Sequence, residues 1–189
     1  MAYQIIPTEI PDVLLLQPQV FGDARGFFLE SFNQRDFQKV TGLDIHFVQD
    51  NHSRSARGVL RGLHHQVKKP QGKLVRVIRG EVLDVAVDLR PGSATLGLHV
   101  ARRLSADNHL QMWIPPGFAH GFLVLSESAD FLYKTTEYWY PEHERSVAWN
   151  DPDLNINWQL AEYQIIQPVL AAKDATASSW KDHLKENQG

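Results

Sequence analysis

Residues 73–88 read Lys-Leu-Val-Arg-Val-Ile-Arg-Gly-Glu-Val-Leu-Asp-Val-Ala-Val-Asp, two apolar segments on either side of an Arg79-Gly80 turn. The first, residues 74–78, has apolar side chains on both faces, which predicts a buried strand. In the second, residues 82–88, the pattern has a period of two, with one apolar and one mixed face. A strand with this pattern can line a cavity or face solvent, and the pattern alone leaves both open.

Short apolar segments of the same kind recur along the chain, separated by turn residues, which is typical of a sandwich or barrel. Asn33 and Gly42 predict the two ends of one early helix, and a second helix is predicted around residues 178–184. Without a repeat or a convincing linker, we expect one domain over residues 1–189. The segments predicted as strands are 13–16, 27–30, 46–49, 74–78, 82–88, 96–100, 112–114, 122–125 and 131–138.

Composition narrows the class of protein. The hydrophobic fraction of 43% is that of an ordinary globular protein, and the net charge of −3 argues against a nucleic-acid partner. An anionic ligand would therefore need a locally basic pocket. The absence of cysteine excludes disulfides and thiolate metal sites. The first residues lack a secretion signal, and no apolar run approaches the ~20 residues that cross a bilayer. We expect a cytoplasmic protein with no membrane partner.

Residues 61–66, Arg-Gly-Leu-His-His-Gln, and the nearby Lys73 carry the main candidate chemistry. His64 is the candidate base, because histidine titrates near neutral pH. Arg61 and Lys73 indicate an anionic substrate, or an anion that develops during reaction, so the set points to proton abstraction from carbon. Arg61 and His64 have opposite strand parity, and both can face one cavity only if a bulge intervenes, for which Gly62 is suited. The competing interpretation is a structural histidine.

Lys73 lies in a segment predicted to be buried, where a charged side chain needs a partner. An internal ion pair with Asp84 or Asp88 is as well supported by these residues as a functional role. Tyr133 shares strand parity with Thr135, Glu137 and Trp139. The competing interpretation is that Tyr133 is simply a half-buried aromatic residue of a strand.

Residues 115–122, Pro-Pro-Gly-Phe-Ala-His-Gly-Phe, resemble the second half of the cupin signature, in which the position of His120 binds metal. The first half requires a His-x-His pair and a following glutamate. Here His64 and His65 are adjacent, so they point to opposite faces of a strand. A three-histidine metal site is therefore not expected, although the cupin shape is.

Several segments, taken in order from about Gly22 to Asp174, closely resemble the dTDP-4-dehydrorhamnose 3,5-epimerase family. The resemblance implies an all-β, cupin-like double-stranded β-helix (jelly roll) with a few short peripheral helices. It implies no metal or cofactor, and a homodimer with exchanged N-terminal strands. The matching segments are residues 21–30, 47–53, 58–64, 71–76, 114–122 and 132–134.

The resemblance also implies an activity: epimerisation at C3 and C5 of dTDP-4-dehydro-6-deoxy-D-glucose to dTDP-4-dehydro-L-rhamnose. This reaction lies on the route to dTDP-L-rhamnose, which feeds bacterial surface polysaccharide such as O-antigen.

The family's motifs assign His64 as the base, Tyr133 as the acid, Asp174 as the carboxylate that orients His64, and Lys73 near the C4 oxygen. From the residues alone, Asp84 would be the partner of His64, and it stays the second choice. Arg25 and Arg61 suit the diphosphate, and Trp139 stands where relatives often carry a tyrosine that stacks on thymine. The substrate-binding positions implied are Arg25, Glu30, Gln49, Asn51, Arg61, Lys73, His120, Trp139, Glu144 and Lys173.

Three other functions compete. One is an epimerase acting at C3 or C5 only, or a ketoisomerase of another dTDP-4-keto-deoxysugar, against which Tyr133 argues. Another is a metal-dependent cupin oxygenase, against which the missing His-x-His pair argues. The third is a catalytically silent sugar-binding cupin, which the combination of base, acid and lysine disfavours.

Overall fold

Two antiparallel sheets face each other, and a separate hairpin projects from them. The computed structural model of the chain describes residues 3–186. In spatial order, the six-stranded sheet contains β1 (Gln4–Ile6), β2 (Leu14–Gln17), β10 (Gln111–Ile114), β7 (Lys73–Arg79), β12 (Ser128–Thr135) and β5 (Gln49–Ala56). The five-stranded sheet contains β13 (Glu144–Ser146), β6 (Leu60–Gln66), β11 (Phe118–Val124), β8 (Glu81–Asp88) and β9 (His99–Ser105). The hairpin is β3 (Val20–Asp23) and β4 (Gly26–Leu29). The all-β prediction is confirmed.

The helices are short and peripheral. They are α1 (Gln34–Thr41), α2 (Ala172–Ala175) and α3 (Trp180–Glu186), with a 3-10 turn at Pro141–His143. None of the helices within residues 3–186 is both long and apolar enough to cross a membrane.

Asn33 and Gly42 cap the two ends of α1, as predicted. The side chain of Asn33 accepts a hydrogen bond from the backbone N–H of Asp36 at 3.2 Å. Gly42 ends the helix in the left-handed conformation, with φ of 71°, which glycine adopts without steric penalty. The helix predicted at 178–184 exists as α3 but begins at Trp180.

Strand β8 shows where the mixed face of residues 82–88 points. Val82 and Ala86 belong to the core between the two sheets, and Asp84 shares their side of the strand. Leu83, Val85 and Val87 pack in a second core, on the outer side of the five-stranded sheet. Neither face of residues 82–88 meets solvent, so Asp84 is a buried carboxyl group between the two sheets.

The irregularity predicted near Gly62 is present between β6 and β11. His120 pairs with His64, and Phe122 pairs with Arg61, so the register shifts between the two pairs. The strand β6 therefore carries one more residue than β11 over this interval, as in a β-bulge. The bulge cancels the parity difference and turns Arg61 and His64 toward the same cavity.

Several strand predictions are wrong at sheet edges. Residues 46–49 were expected to be a strand, but β5 begins only at Gln49, and β9 lies at His99–Ser105 rather than at 96–100. Strands β5 and β9 are the edges of their sheets, where one side is solvated and an apolar pattern is not required. Strand β12 ends at Thr135, so the parity argument from Tyr133 does not reach Glu137 or Trp139.

Of the two ion pairs left open for Lys73, the one with Asp88 is not formed. The Asp88 side chain is fully buried and accepts hydrogen bonds from Arg90, Ser93 and Thr95, with the Arg90 Nη2–Oδ2 distance at 2.7 Å. Burial alone would raise the pKa of this carboxyl, but these donors outweigh burial and hold the pKa below its ordinary value. Arg90 also pairs with Asp12, which ties the N-terminal segment to this loop.

The close contact at the bulge leads to a stability prediction for Gly62→Ala. A Cβ at Gly62 would lie 2.5 Å from the Gly121 Cα and 2.7 Å from the His120 carbonyl oxygen, and Gly62 has φ of +121°. Because backbone atoms cannot yield as a flexible side chain can, we expect a loss of about 2–4 kcal/mol in the free energy of unfolding. Denaturant unfolding measures this loss.

Gly92→Ala is the matched control, since Gly92 also has positive φ, of +76°, but no atom within 4 Å of the added Cβ. We expect its loss to be about 1 kcal/mol, from backbone strain alone. Equal losses in the two variants would contradict a special role for the close approach.

Candidate active site

A cavity of about 390 Å³ lies between the two sheets. Its walls come from β5, β7 and β12 on one side and from β6 and β11 on the other, with the loop after β12 and helix α2 at its rim. Most of the predicted site residues lie on these walls. They are Gln49, Asn51, Arg61, His64, Lys73, His120, Tyr133, Trp139, Glu144 and Lys173.

His64 is in contact with a carboxylate from the far end of the chain. Its Nε2 lies 2.5 Å from Oδ1 of Asp174, which is 2% exposed on helix α2. Because a carboxylate oxygen can only accept, the proton of this hydrogen bond belongs on Nε2. The other ring nitrogen, Nδ1, is then an acceptor in the neutral ring. A histidine in this state can take up a proton while the carboxylate stabilises the resulting imidazolium.

Asp84, the second choice as the partner of His64, contacts His120 instead. The distance from His120 Nε2 to Asp84 Oδ2 is 2.9 Å, and both side chains are buried. Burial lowers the pKa of His120 even though Asp84 acts in the opposite direction. His120 is therefore a neutral ring at neutral pH, held by Asp84 with its other nitrogen free to accept a hydrogen bond.

Lys73 is a buried amine on the cavity wall, 7% exposed. Within residues 3–186 it forms no ion pair within 4 Å, so the alternative of a pair with Asp84 is not borne out. Burial lowers its pKa to about 8, while the charges of Asp84 and Glu144 act to raise it. At neutral pH the side chain is mostly an ammonium group whose charge no contacting carboxylate neutralises.

Tyr133 lies on the cavity wall opposite β6, above stacked aromatic rings. Burial raises the pKa of its hydroxyl, with a smaller contribution from Glu144, so the group stays protonated and can donate. Beneath it, the rings of Phe131 and Phe122 stack with centroids 4.2 Å apart. These phenylalanines were missed as site residues, although strand parity places Phe131 beside Tyr133 and Phe122 beside His120.

Three side chains at the rim form a connected network. The indole Nε1–H of Trp139 donates to Oε2 of Glu144 at 2.7 Å, and Oε1 of Glu144 accepts from Nζ of Lys173. The backbone N–H of Trp139 donates to the side chain of Gln49 at 3.1 Å. The network fixes an exposed flat ring at the mouth of the cavity, and Lys173 connects it to the helix that carries Asp174.

The cavity is locally basic. Because the chain as a whole has a net charge of −3, an anionic ligand would need such a pocket. Arg61, Lys73 and Lys173 line it, whereas Glu144 is the one carboxylate among the described residues on its wall. Arg61 donates from Nε to the Ser55 hydroxyl at 3.0 Å and forms no ion pair within residues 3–186. The described residues contain no cluster of three or more His, Asp or Glu side chains arranged to hold a metal ion.

Two predicted site residues lie outside the cavity of their own chain. Arg25 is at the tip of the β3–β4 hairpin, where its exposed side chain pairs with Asp23 at 2.5 Å. Glu30 follows β4, and its Oε1 accepts from the side chain of Asn33. The hairpin also exposes Phe27 and Phe28, 64% and 63% of whose surface is accessible.

Comparison with known proteins identifies the family. Residues 7–182 match the family model described as dTDP-4-dehydrorhamnose 3,5-epimerase. A relative of that name from Pseudomonas aeruginosa is 62% identical over 173 residues, which cover 92% of this chain and 93% of that protein.

Solved structures agree with the sequence comparison. A crystal structure of dTDP-6-deoxy-D-glucose-3,5-epimerase from Legionella pneumophila, in complex with dTDP-4-keto-L-rhamnose, matches with a TM-score of 0.90 and 51% identity, covering 94% of this chain and 92% of that one. A 3'-monoepimerase from Streptomyces bikiniensis, in complex with dTDP-quinovose, matches with a TM-score of 0.83 and 30% identity, covering 96% of both chains. The predicted cupin-like fold is confirmed by this likeness. The chain belongs to the dTDP-4-dehydrorhamnose 3,5-epimerase family.

Proposed function

We propose that this enzyme epimerises C3 and C5 of dTDP-4-dehydro-6-deoxy-D-glucose, giving dTDP-4-dehydro-L-rhamnose for dTDP-L-rhamnose synthesis. The observation that carries the proposal is the convergence of the His64–Asp174 pair, Lys73 and Tyr133 on one basic cavity. The relatives named as dTDP-4-dehydrorhamnose 3,5-epimerases support the same assignment.

In the first step, Nδ1 of His64 removes the proton from a carbon next to the C4 ketone. The electron pair of the broken C–H bond forms a double bond to C4, and the ketone oxygen becomes an enolate. The ammonium group of Lys73 stabilises the charge on that oxygen strongly, because Lys73 is only 7% exposed and water screens its charge little. Asp174 stabilises the imidazolium formed on His64 at the same time.

In the second step, the Tyr133 hydroxyl donates its proton to the same carbon from the other face of the ring. Inversion needs a base and an acid on opposite sides of the substrate, and the wall formed by β6 faces the wall formed by β12 across the cavity. The enolate electrons return to form the new C–H bond, and the ketone is restored. His64 then releases its proton to solvent and the Tyr133 phenolate takes one up from solvent, so that both groups return to their starting states. The same two steps then follow at the second carbon.

Binding of the nucleotide uses the basic and aromatic groups at the rim. Arg61 has no competing carboxylate in the described part of the chain, and its guanidinium suits the diphosphate. Trp139 offers a flat ring for stacking on thymine, where relatives often carry tyrosine. Gln49, Asn51, His120, Glu144 and Lys173 supply hydrogen bonds around the ligand.

We also propose a homodimer in which the N-terminal hairpin is exchanged between subunits. Strands β1 and β2 pair within their own chain, so the exchanged segment would be β3–β4. An exposed aromatic surface on a projecting hairpin is typical of a contact with a partner. The exchange would bring Arg25 and Glu30 to the cavity of the second subunit, which explains their distance from their own. Organisation as one domain over residues 1–189 and a cytoplasmic location stay predictions.

A single-site epimerase is the second candidate, and the likeness to a 3'-monoepimerase favours keeping it. The deciding experiment is NMR of dTDP-4-keto-6-deoxyglucose with the enzyme in D₂O, with no metal added. Deuterium at both C3 and C5, with the product trapped by a downstream reductase, supports the double epimerase. Deuterium at one carbon supports the single-site enzyme, and a folded protein that gives neither would contradict the proposal.

His64→Ala removes the base, and we expect the rate of epimerisation to fall at least ~10³-fold with the fold intact. Circular dichroism checks the fold, and deuterium incorporation measures the chemical step. His46→Ala, at an exposed histidine outside the cavity, is the control and should keep normal activity. Near-normal turnover in His64→Ala would rule out this mechanism.

Tyr133→Phe removes the acid and leaves the base in place. We expect deuterium exchange at the substrate carbons to continue, while formation of the inverted product falls ~10²–10⁴-fold. Tyr163→Phe is the control, since the Tyr163 hydroxyl contacts Glu81 rather than the cavity. If Tyr133→Phe forms product at the normal rate, another group must supply the proton.

The lowered pKa of Lys73 predicts an alkaline limit to activity. The ammonium form exists below a pKa of about 8 and is lost above it, so kcat should decline as the pH rises past that value. Lys73→Arg keeps its charge in this range and should show a lower kcat without the decline. Lys69→Arg, on an exposed loop, is the control and should keep the wild-type profile. A decline shared by wild type and Lys73→Arg would show that another group titrates.

A further inference from the structure

A second histidine lies directly behind the catalytic strand. His65 follows His64 on β6, so its ring points to the opposite face of the sheet, although the residue also borders the cavity. Its Nδ1–H donates to the carbonyl oxygen of Arg145 on β13, at 3.3 Å. Its Nε2 is buried and has no hydrogen-bond partner among the described residues. The proposed chemistry makes no use of this ring, and its unpaired nitrogen calls for a structural explanation.

The side chain packed against His65 comes from the C-terminal helix. The rings of His65 and His183 meet edge to face, with centroids 4.8 Å apart and an interplanar angle of 77°. His183 is 4% exposed and stacks in turn on Trp180, at 5.6 Å. A row of three rings thus connects the strand of the proposed base to α3.

Helix α3 is anchored at its N-terminal end. The backbone N–H of Trp180 donates to Oδ2 of Asp151 at 2.8 Å, and the N–H of Ala148 donates to the Ser178 carbonyl at 2.9 Å. Only four residues, 176–179, separate α2 from α3. The position of α3 therefore limits where α2, with Asp174, can lie relative to β6.

We propose that His65 and His183 are positioning residues: their ring contact holds the C-terminal segment against the rear of β6 and so keeps Asp174 in contact with His64. The His65 ring belongs to the residue that follows the proposed base on β6. The His183 ring belongs to the C-terminal segment that also supplies Asp174. The inference rests on the proposed roles of His64 and Asp174.

Neutral rings favour the contact, because burial and the neighbouring groups with the largest effects all disfavour a charge on His65. Burial lowers the pKa of His65 from 6.5 to about 3, helped by His183 on α3, Lys73 on β7, His64 on its own strand and Arg145 on β13. Burial also lowers the pKa of His183, and Glu186 on the same helix opposes this. The unfolded chain binds protons that the folded pair excludes, so docking of α3 is fully favourable above about pH 6.5 and weakens as the pH falls toward 3.

Two variants of His183 test the proposal, each measured for kcat, KM and the NMR signal of the proton between His64 and Asp174. His183→Ala removes the ring, and we expect kcat to fall ~10-fold or more with little change in KM, together with loss of that signal. His183→Phe keeps a ring that cannot be protonated. We expect it to retain the signal and near-normal kcat at pH 7.5, and to hold the signal at lower pH than wild type does.

Lys185→Ala, on the exposed side of the same helix, is the control and should match wild type in every measurement. An unchanged signal and kcat in a folded His183→Ala variant would overturn the proposal. If that variant does not fold, His183→Phe decides alone: loss of the signal, or a signal with the wild-type pH dependence, would overturn it. Because the NMR signal does not require turnover, failure of the proposed reaction is distinguishable from failure of the positioning role.

Discussion

The close approach of β6 and β11 is the constraint on which the site depends. Two glycines, Gly62 and Gly121, face each other where a Cβ on either would overlap the neighbouring backbone. The extra residue that this contact accommodates in β6 turns Arg61 and His64 toward one side of the sheet. Without it, Arg61 and His64 would lie on opposite faces, which would separate the guanidinium that we propose for the diphosphate from the proposed base.

Within the site, the protonation of each titratable group depends on how deeply it is buried and on which charged or polar group it contacts. His64 and His120 each have a carboxylate at Nε2, but the side chain of His120 is 8% exposed and burial lowers its pKa, whereas the side chain of the proposed base is 22% exposed. Tyr133 stays protonated because it is buried and faces a glutamate. A base, an acid and a cation can thus coexist in one small space without neutralising one another.

The sequence was informative where a pattern has one physical cause. Helix α1 was predictable because its capping residues act locally, and β8 because its side chains alternate with a period of two. The burial of both faces of β8 was not predictable from that pattern. The edge strands were not, since β5, with the sequence Gln-Asp-Asn-His-Ser-Arg-Ser-Ala, needs no apolar face.

Contacts within the site were harder to predict when the two residues lie far apart along the chain. The contact of Asp174 with His64 joins positions 110 residues apart, and only the family resemblance pointed to it. From the residues alone, Asp84 was the first choice. It is a buried carboxylate near the cavity, and what excludes it is that His120 already occupies its oxygens. Arg25 points outward because it lies on the β3–β4 hairpin. No local sequence pattern predicts where that hairpin lies relative to the two sheets.

The burial of Lys73 has a consequence for the chemical reactivity of the protein. With a pKa of about 8, roughly a tenth of this side chain is a free amine at pH 7, far more than for an ordinary lysine. Lys69 is the opposite case, since its contact with Tyr140 raises its pKa. An acylating reagent small enough to enter the cavity should therefore modify Lys73 faster than Lys69, which is fully exposed but almost entirely protonated. Such selectivity would make Lys73 the natural attachment point for a covalent probe or inhibitor built on a nucleotide scaffold.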